Sequence, residues 1–264
     1  RNAGFTDAER RRLVSGAIEG VVRAFVPDLV VVDTFPLGPH RELAGIDFGL
    51  ARRALVRRHV PDDVLANPML ADGRELMDLV IAADDPTPTV GGDIQVPPIT
   101  IIRPPVPNPR RALGLPSDEK IFLITFGGGG EADLAARIAR VTKTLCAVAI
   151  GPLAPLPSTS TPELRFIRVA PLSPYLAAFN GVFAAAGYNT AHELALAGVP
   201  TAFFAQSRPF DDQADRARRF EATLLGEFTD DAIEHAARNM RPLPSIRRGG
   251  ADRAAEALLD LATS

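Results

Sequence analysis

Two kinds of hydrophobic pattern alternate along the chain. Leu13, Ala17, Val21 and Phe25 recur at the step of one helical face, behind Thr6-Asp7-Ala8-Glu9, which has the Thr-x-x-Glu form of a capping box. They predict a helix that ends by Pro27. Leu29-Val30-Val31-Val32 is apolar at every position and stops at Asp33. With no polar alternation it reads as a strand buried on both faces, hence parallel. Leu76 to Ala82 has the same character, and Arg52 to His59 is expected to be helical. From Pro86 to Pro109 the chain is rich in Pro and Gly around the apolar run Ile99 to Ile102, which is a linker composition.

A second cycle then begins. Strand Ile121 to Phe126 leads through Gly127 to Gly130 into a helix from Glu131, with Leu134, Ile138, Val141 and Leu145 on one face. A strand over Ala147 to Ile150 follows. Further β segments at Leu164 to Val169, Val182 to Ala185 and Thr201 to Phe204 alternate with helices near Pro174 to Phe179, Ala191 to Ala197 and Asp211 to Phe220. This alternation implies right-handed βαβ crossovers and doubly wound sheets. The expected class is therefore α/β with two Rossmann-like domains, 1–104 and 105–264. The first is expected to lack its opening strand, loop and helix.

Composition narrows the function. A content of 46% hydrophobic residues in 264 excludes disorder, and a net charge of -3 gives no general attraction for nucleic acid. No apolar run approaches the ~20 residues that span a bilayer. Cys146 is the only cysteine, so neither a disulfide nor a cysteine-based zinc site can form within the chain. A reducing, cytoplasmic setting is expected, with peripheral membrane contact left open. All but two of the 29 basic residues are arginine, which carries no functional weight.

In a doubly wound sheet ligands sit beyond the carboxyl ends of the strands, so the loops after the apolar runs are the candidates. Gly127 to Gly130 can present bare backbone N–H groups and a helix end to a phosphate, or simply make a tight turn. Without a lysine it is no Walker loop. Ala186-Gly187-Tyr188-Asn189-Thr190-Ala191-His192-Glu193 is a second strand-to-helix junction. There Thr190 and Glu193 form a capping box, or Glu193 is free to accept hydrogen bonds from both hydroxyls of a ribose. Asp211 suits a helix start, and Asp212 with Gln213 offers acceptors and a donor for sugar hydroxyls. His192 reads as a partly buried structural imidazole.

With these motifs in chain order, Gly187-Tyr188-Asn189-Thr190-Ala191-His192-Glu193-Leu194-Ala195-Leu196-Ala197-Gly198-Val199-Pro200 followed by Asp211-Asp212-Gln213 resembles the donor-binding half of GT-B glycosyltransferases. The similarity is nearest to the bacterial transferase that adds N-acetylglucosamine to a lipid-linked peptidoglycan precursor. It is strong from Ile121 to Phe220 and thin before Pro104. It implies that Gly128, Gly129, Asn189 and Thr190 hold the donor diphosphate, with Gly187 also at the donor site, and that Glu193 binds the ribose. It further implies that Asp212 and Gln213 meet the donor sugar and that Ala170 and Leu172, within Val169 to Leu172, flank the nucleobase.

The implied activity is metal-independent, inverting transfer from a nucleoside-diphosphate sugar, most simply a UDP sugar, to an acceptor hydroxyl, with no cofactor. Consistent with that, no Asp-x-Asp element occurs. The Gly/His-rich loop that follows the family's first strand has no counterpart here, and Tyr188-Asn189 replaces smaller residues. His40, in the Thr34 to Arg41 loop, is then the one candidate base. The acceptor, lipid-linked or a small molecule, is not specified. A nucleotide-sugar hydrolase or epimerase on the same fold, or a non-catalytic donor-binding subunit, are the alternatives. An incomplete first domain would expose apolar residues near Leu29 to Val32 and favour self-association.

Overall fold

A computed structural model describes residues 4–58, 65–83, 93–100, 103–126, 132–151, 153, 161–208 and 210–264. The chain divides into two compact units, Arg1–Ile99 with Arg247–Ser264, and Thr100–Ile246.

The first unit opens with helix α1 (Asp7–Phe25), whose capping box forms as expected. The Thr6 hydroxyl accepts from the Glu9 amide at 3.3 Å, and the Glu9 carboxylate accepts from the Thr6 amide at 2.8 Å. None of the helix's 19 residues is buried. Strands β1 (Leu29–Asp33), β2 (Arg52–Arg58), β3 (Leu79–Ala83) and β4 (Asp93–Val96) then form a parallel sheet in that order.

Two elements differ from the expectation. Arg52 to His59 was expected to be helical because Arg, Ala and Leu favour helices locally, but Arg52–Arg58 is an inner strand paired with both β1 and β3. Burial of Ala54 and Leu55 between two waiting strand edges overrides the propensity. β4 lies within the segment read as linker, its four residues too short to stand out among Pro and Gly.

The second unit is built on β5 (Ile121–Thr125), α2 (Ala132–Thr142), β6 (Leu145–Ala149), β7 (Leu164–Ile167), a 3₁₀ turn (Ser173–Ala178), β8 (Gly181–Ala185) and α3 (Tyr188–Ala197). It continues with β9 (Pro200–Phe204), α4 (Gln213–Arg219), β10 (Thr223–Leu224), α5 (Asp230–Asn239) and β11 (Arg241–Pro242). The strands run in the order β10-β9-β8-β5-β6-β7, all parallel, with β11 antiparallel on β9.

Alternation along β5 decides which helix goes where. Ile121 and Leu123 face α3, α4 and the 3₁₀ turn through Leu176, Ala191, Leu194 and Ala217. Phe122 and Ile124 face α2 and α5 through Ile138 and Ile233. The sheet is thus covered on both sides, which is why its strands are continuously apolar.

The last helix, α6 (Gly250–Thr263), returns to the first unit and packs on β1 to β4. A division at residue 104 with everything after it in the second domain does not contain this return. Ala254, Ala257 and Leu258 cover Ile81, Ala83 and Val96. Gly250 is required there, because a Cβ would overlap the carbonyl oxygens of Pro97 and Pro98. On the other face Val32, Leu55 and Val80 lie against Leu43 of the β1–β2 loop. A cavity of ≈ 50 Å³ remains there, lined by Val30, Leu37, Leu43, Ile46 and Met77 among others. No helix among the described residues is long and apolar enough to cross a membrane.

Candidate functional site

Because β9, β8, β5, β6 and β7 are parallel neighbours, the loops that follow them open on one edge of the second unit's sheet in that same order. At ~4.8 Å per strand the edge from β9 to β7 runs about 19 Å. Asp212 lies beyond β9, Gly187 beyond β8, and Ala170 and Leu172 beyond β7. An extended ligand along this edge would meet them one after another. Gly128 and Gly129, beyond β5, fall outside the described residues.

The β8–α3 junction departs from one of its two sequence readings. The helix begins at Tyr188 with Gly187 as its N-cap, so Thr190 is its third residue and Glu193 its sixth. A capping box over Thr190 and Glu193 is therefore excluded, since a box needs its hydroxyl at the cap itself. Gly187 has an ordinary φ of -63° and supplies no capping side chain. The amides of Asn189 and Thr190 have no acceptor among the described residues. Two free N–H groups and the positive end of a ten-residue helix therefore face outward. A Cβ on Gly187 would meet no atom of the described residues within 4 Å. Neither backbone strain nor packing explains a glycine there.

Glu193, on the next turn, is half-buried and makes no hydrogen bond or ion pair among the described residues. Desolvation pushes its carboxyl above the ordinary range. An unpartnered, partly desolvated carboxylate is costly for the fold alone and suited to a ligand that donates hydrogen bonds. His192, by contrast, is fully buried between the rings of Tyr188 and Phe220, with centroids 4.3 and 5.3 Å away. Its Nδ1 lies 2.7 Å from the Tyr188 carbonyl. It is part of the core.

Beyond β9, Asp212 caps α4 by accepting from the Asp215 amide through Oδ1 at 2.8 Å. Its other oxygen has no partner in the described structure. Gln213, which the resemblance assigns to the donor sugar, is buried, with its oxygen accepting from the Gln206 amide at 3.1 Å and its nitrogen donating to Asp211 at 3.3 Å. It fastens the loop.

Arg216 went unnoticed in the sequence because a helical arginine reads as solvated surface. It is 1% exposed and donates to the Ala186 carbonyl at 2.8 Å and the Asp211 carboxylate at 2.6 Å. Beyond β7, Ala170 is exposed and Leu172 half-buried. The next residue, Ser173, is buried with a hydroxyl that finds no partner among the described residues.

In the first unit, His40 is exposed. Its backbone N–H donates to the buried Glu42 at 2.7 Å, but no described group orients its ring. Cys146 is buried and its thiol is pushed up to about 12 by desolvation, which leaves it inert as a nucleophile. Among the described residues no group of three or more His, Cys, Asp or Glu side chains is placed to hold a metal ion.

No family model and no curated protein sequence matches the chain. Solved structures do. The UDP-GlcNAc 2-epimerase of Methanocaldococcus jannaschii, in complex with UDP-GlcNAc and UDP, superposes with a TM-score of 0.63 at 14% identity, covering 97% of this chain and 82% of that one. The calicheamicin glycosyltransferase CalG4 gives 0.59 at 15% identity, over 97% and 76%. The spinosyn rhamnosyltransferase SpnG, complexed with thymidine diphosphate, gives 0.55 at 18% identity, over 97% and 75%.

The chain shares their fold. Two Rossmann-like units with parallel sheets, as in GT-B glycosyltransferases, are what the sequence led us to expect. At these identities the likeness concerns architecture, and the chemistry must be argued from the site.

Proposed function

We propose that the second unit binds a nucleoside-diphosphate sugar along the carboxyl edge of its sheet and that the chain is a glycosyltransferase of the metal-independent, inverting kind. The observation that carries this reading is the uncapped start of α3 beside the unpartnered Glu193. The amides of Asn189 and Thr190 would take the diphosphate, with Gly187 giving it room, and Glu193 would take the ribose hydroxyls. The free oxygen of Asp212 would meet the sugar, and the loop holding Ala170 and Leu172 the base. Gly128 and Gly129 would complete the diphosphate cradle.

In transfer, an acceptor hydroxyl would displace the diphosphate at the anomeric carbon as a general base takes its proton. The backbone N–H groups would stabilise the leaving charge, work that needs neither metal nor cofactor. His40 is the candidate base. The acceptor is a hydroxyl compound of unassigned class, lipid-linked as in the peptidoglycan transferases or a small aglycone.

The second reading is a nucleotide-sugar hydrolase or epimerase. It is favoured by the epimerase among the structural neighbours and by an imidazole at His40 that no described group orients. Consumption of donor without acceptor would mark it. The apolar residues exposed on the first unit, Leu13, Val21, Phe25 and Val31, support self-association through that unit, read by sedimentation.

Calorimetry with UDP and thymidine diphosphate, with and without EDTA, tests the donor site. Micromolar binding indifferent to the chelator is expected, and no binding of either would overturn the reading. Glu193→Ala should weaken binding roughly tenfold or more, on the scale of about 1.5–3 kcal/mol for hydrogen bonds to a charged group, without lowering Tm.

A further inference from the structure

Arg216 is the largest of the fully buried side chains among the described residues, and the proposed donor contacts do not use it. One guanidinium joins three places. Nη1 donates to the carbonyl of Ala186, the residue before the Gly187 cap, and Nη2 donates to Asp211, the residue before the Asp212 cap. Its carbon lies 5.7 Å from the centroid of the Tyr188 ring, in the first turn of α3. Nε is buried with no partner among the described residues.

As packing this is a poor solution, because an apolar side chain of similar length would fill the space with no charge to desolvate and no orphaned N–H. What an apolar side chain could not do is hold two loop ends by a planar fork. Gln213 extends the same brace, bonding Asp211 on one side and Gln206 on the other.

We propose that Arg216 is a positioning residue that fixes the separation and direction of the α3 and α4 starts, so that a single ligand can meet both. The inference rests on the donor-site reading above. Its consequence is selective. A nucleoside diphosphate that touches only the α3 start depends weakly on Arg216, whereas a nucleotide sugar that also reaches Asp212 depends on it strongly.

The experiment measures the affinity of UDP and of UDP-N-acetylglucosamine, or of the thymidine pair if the wild type prefers it, for the whole chain and three variants. Arg216→Lys keeps the charge but loses the fork, and Asp211→Asn keeps the guanidinium but removes the carboxylate that Arg216 and Gln213 share. Arg110→Lys is the control. Arg110 is bonded to the carbonyl of Ala178 and the side chain of Asn180, near the start of β5 and away from the carboxyl edge.

Arg216→Lys and Asp211→Asn should weaken the nucleotide sugar about tenfold or more and the diphosphate about threefold or less, since misplacement near 1 Å is enough for such losses. Arg110→Lys should lower Tm and leave both affinities alone. Equal losses for the two ligands, or no loss with a lowered Tm, would overturn the positioning role. If Arg216→Lys does not fold, Asp211→Asn decides the matter alone. Failure of the wild type to bind either ligand is a different result, and it defeats the donor-site reading itself.

Discussion

In the second unit helices lie on both faces of the sheet, and each strand from β5 to β9 carries buried residues into two separate cores. In the first unit one face is under α6 and the other under the β1–β2 loop, while no residue of α1 is buried. The contrast extends to the candidate residues. Glu193, Gly187 and Asp212 ride on helix starts fixed by packing and by Arg216, so their geometry exists before a ligand arrives. His40 rides on a loop beside a cavity, next to Arg41, which holds a positive φ of 59°. Residues placed by packed helices can be read as a site, and a residue placed by a loop can be read only as a candidate.

The largest effect that should separate the units comes from the core. Phe183 is fully buried and meets Phe122 edge to face at 5.6 Å. Phe183→Ala should cost about 3–5 kcal/mol and abolish nucleotide binding together with folding of the second unit. Leu43→Ala, at a half-buried position under the loop of the first unit, should cost far less and leave UDP affinity unchanged. Thermal melts with calorimetry check both. Equal costs would mean that the loop layer is packed as firmly as the helical one.

Next in size is the return of α6. Gly250→Ala forces a Cβ against the Pro97 and Pro98 carbonyls, which cannot swing aside as a side chain would. A loss of about 1–3 kcal/mol is expected, with UDP binding retained, since the affected contacts all lie in the first unit. Weakened UDP binding in a folded variant would show that the two units do not act separately.

What could be read in the sequence follows the same division. The buried strands of the second unit were legible because a parallel sheet covered on both faces demands unbroken apolar runs, and Ile121 to Phe126 or Val182 to Ala185 have them. Arg52–Arg58 was not legible, because Arg-Arg-Ala-Leu-Val-Arg-Arg shows a strand only once β1 and β3 are beside it. The Gly187 junction could be located from its motif, but not the position of its cap. Thr190 and Glu193 fit the capping pattern by spacing, and only the backbone shows that the cap lies three residues earlier, at Gly187. Arg216 and Gln213 were beyond reach for a like reason. The role of Arg216 depends on where a loop thirty residues away in sequence, at Ala186, ends in space, and that of Gln213 on how the chain from Gln206 to Asp211 folds back on it.

A smaller change in stability accompanies Gly187→Ser. A serine at an N-cap satisfies amides that are free here, so the variant should be more stable by a few tenths of a kcal/mol. The same hydroxyl would occupy the N–H groups proposed for the diphosphate, and UDP should bind about tenfold or more weakly. Opposite signs for stability and affinity are the expected outcome. A variant that is stabilised and still binds UDP as the wild type does would remove the α3 start from the donor site.

The smallest effect is the titration of Glu193, and its sign is fixed by burial. Desolvation raises the folded carboxyl above the ordinary glutamate value of about 4.3, so between those two values the folded state binds more protons than the unfolded state. Stability from this group therefore falls as pH rises through the raised value, and the cost of the buried charge is complete above it. Glu193→Gln removes that cost. The variant should melt higher than the wild type at pH 8, and the gap should close as pH falls toward the ordinary carboxylate range. Binding should run the other way, because the ionised carboxylate makes the stronger hydrogen bonds to a ribose. Wild-type affinity for UDP should drop with pH more steeply than that of Glu193→Gln, which retains whatever pH dependence the ligand's own phosphate contributes. Parallel melting curves for the two proteins from pH 5 to 8 would show that Glu193 is not held desolvated. Parallel binding curves alone would leave it desolvated but take it out of the ribose contact, which is the part of the site that separates a nucleotide pocket from a bare anion-binding helix end.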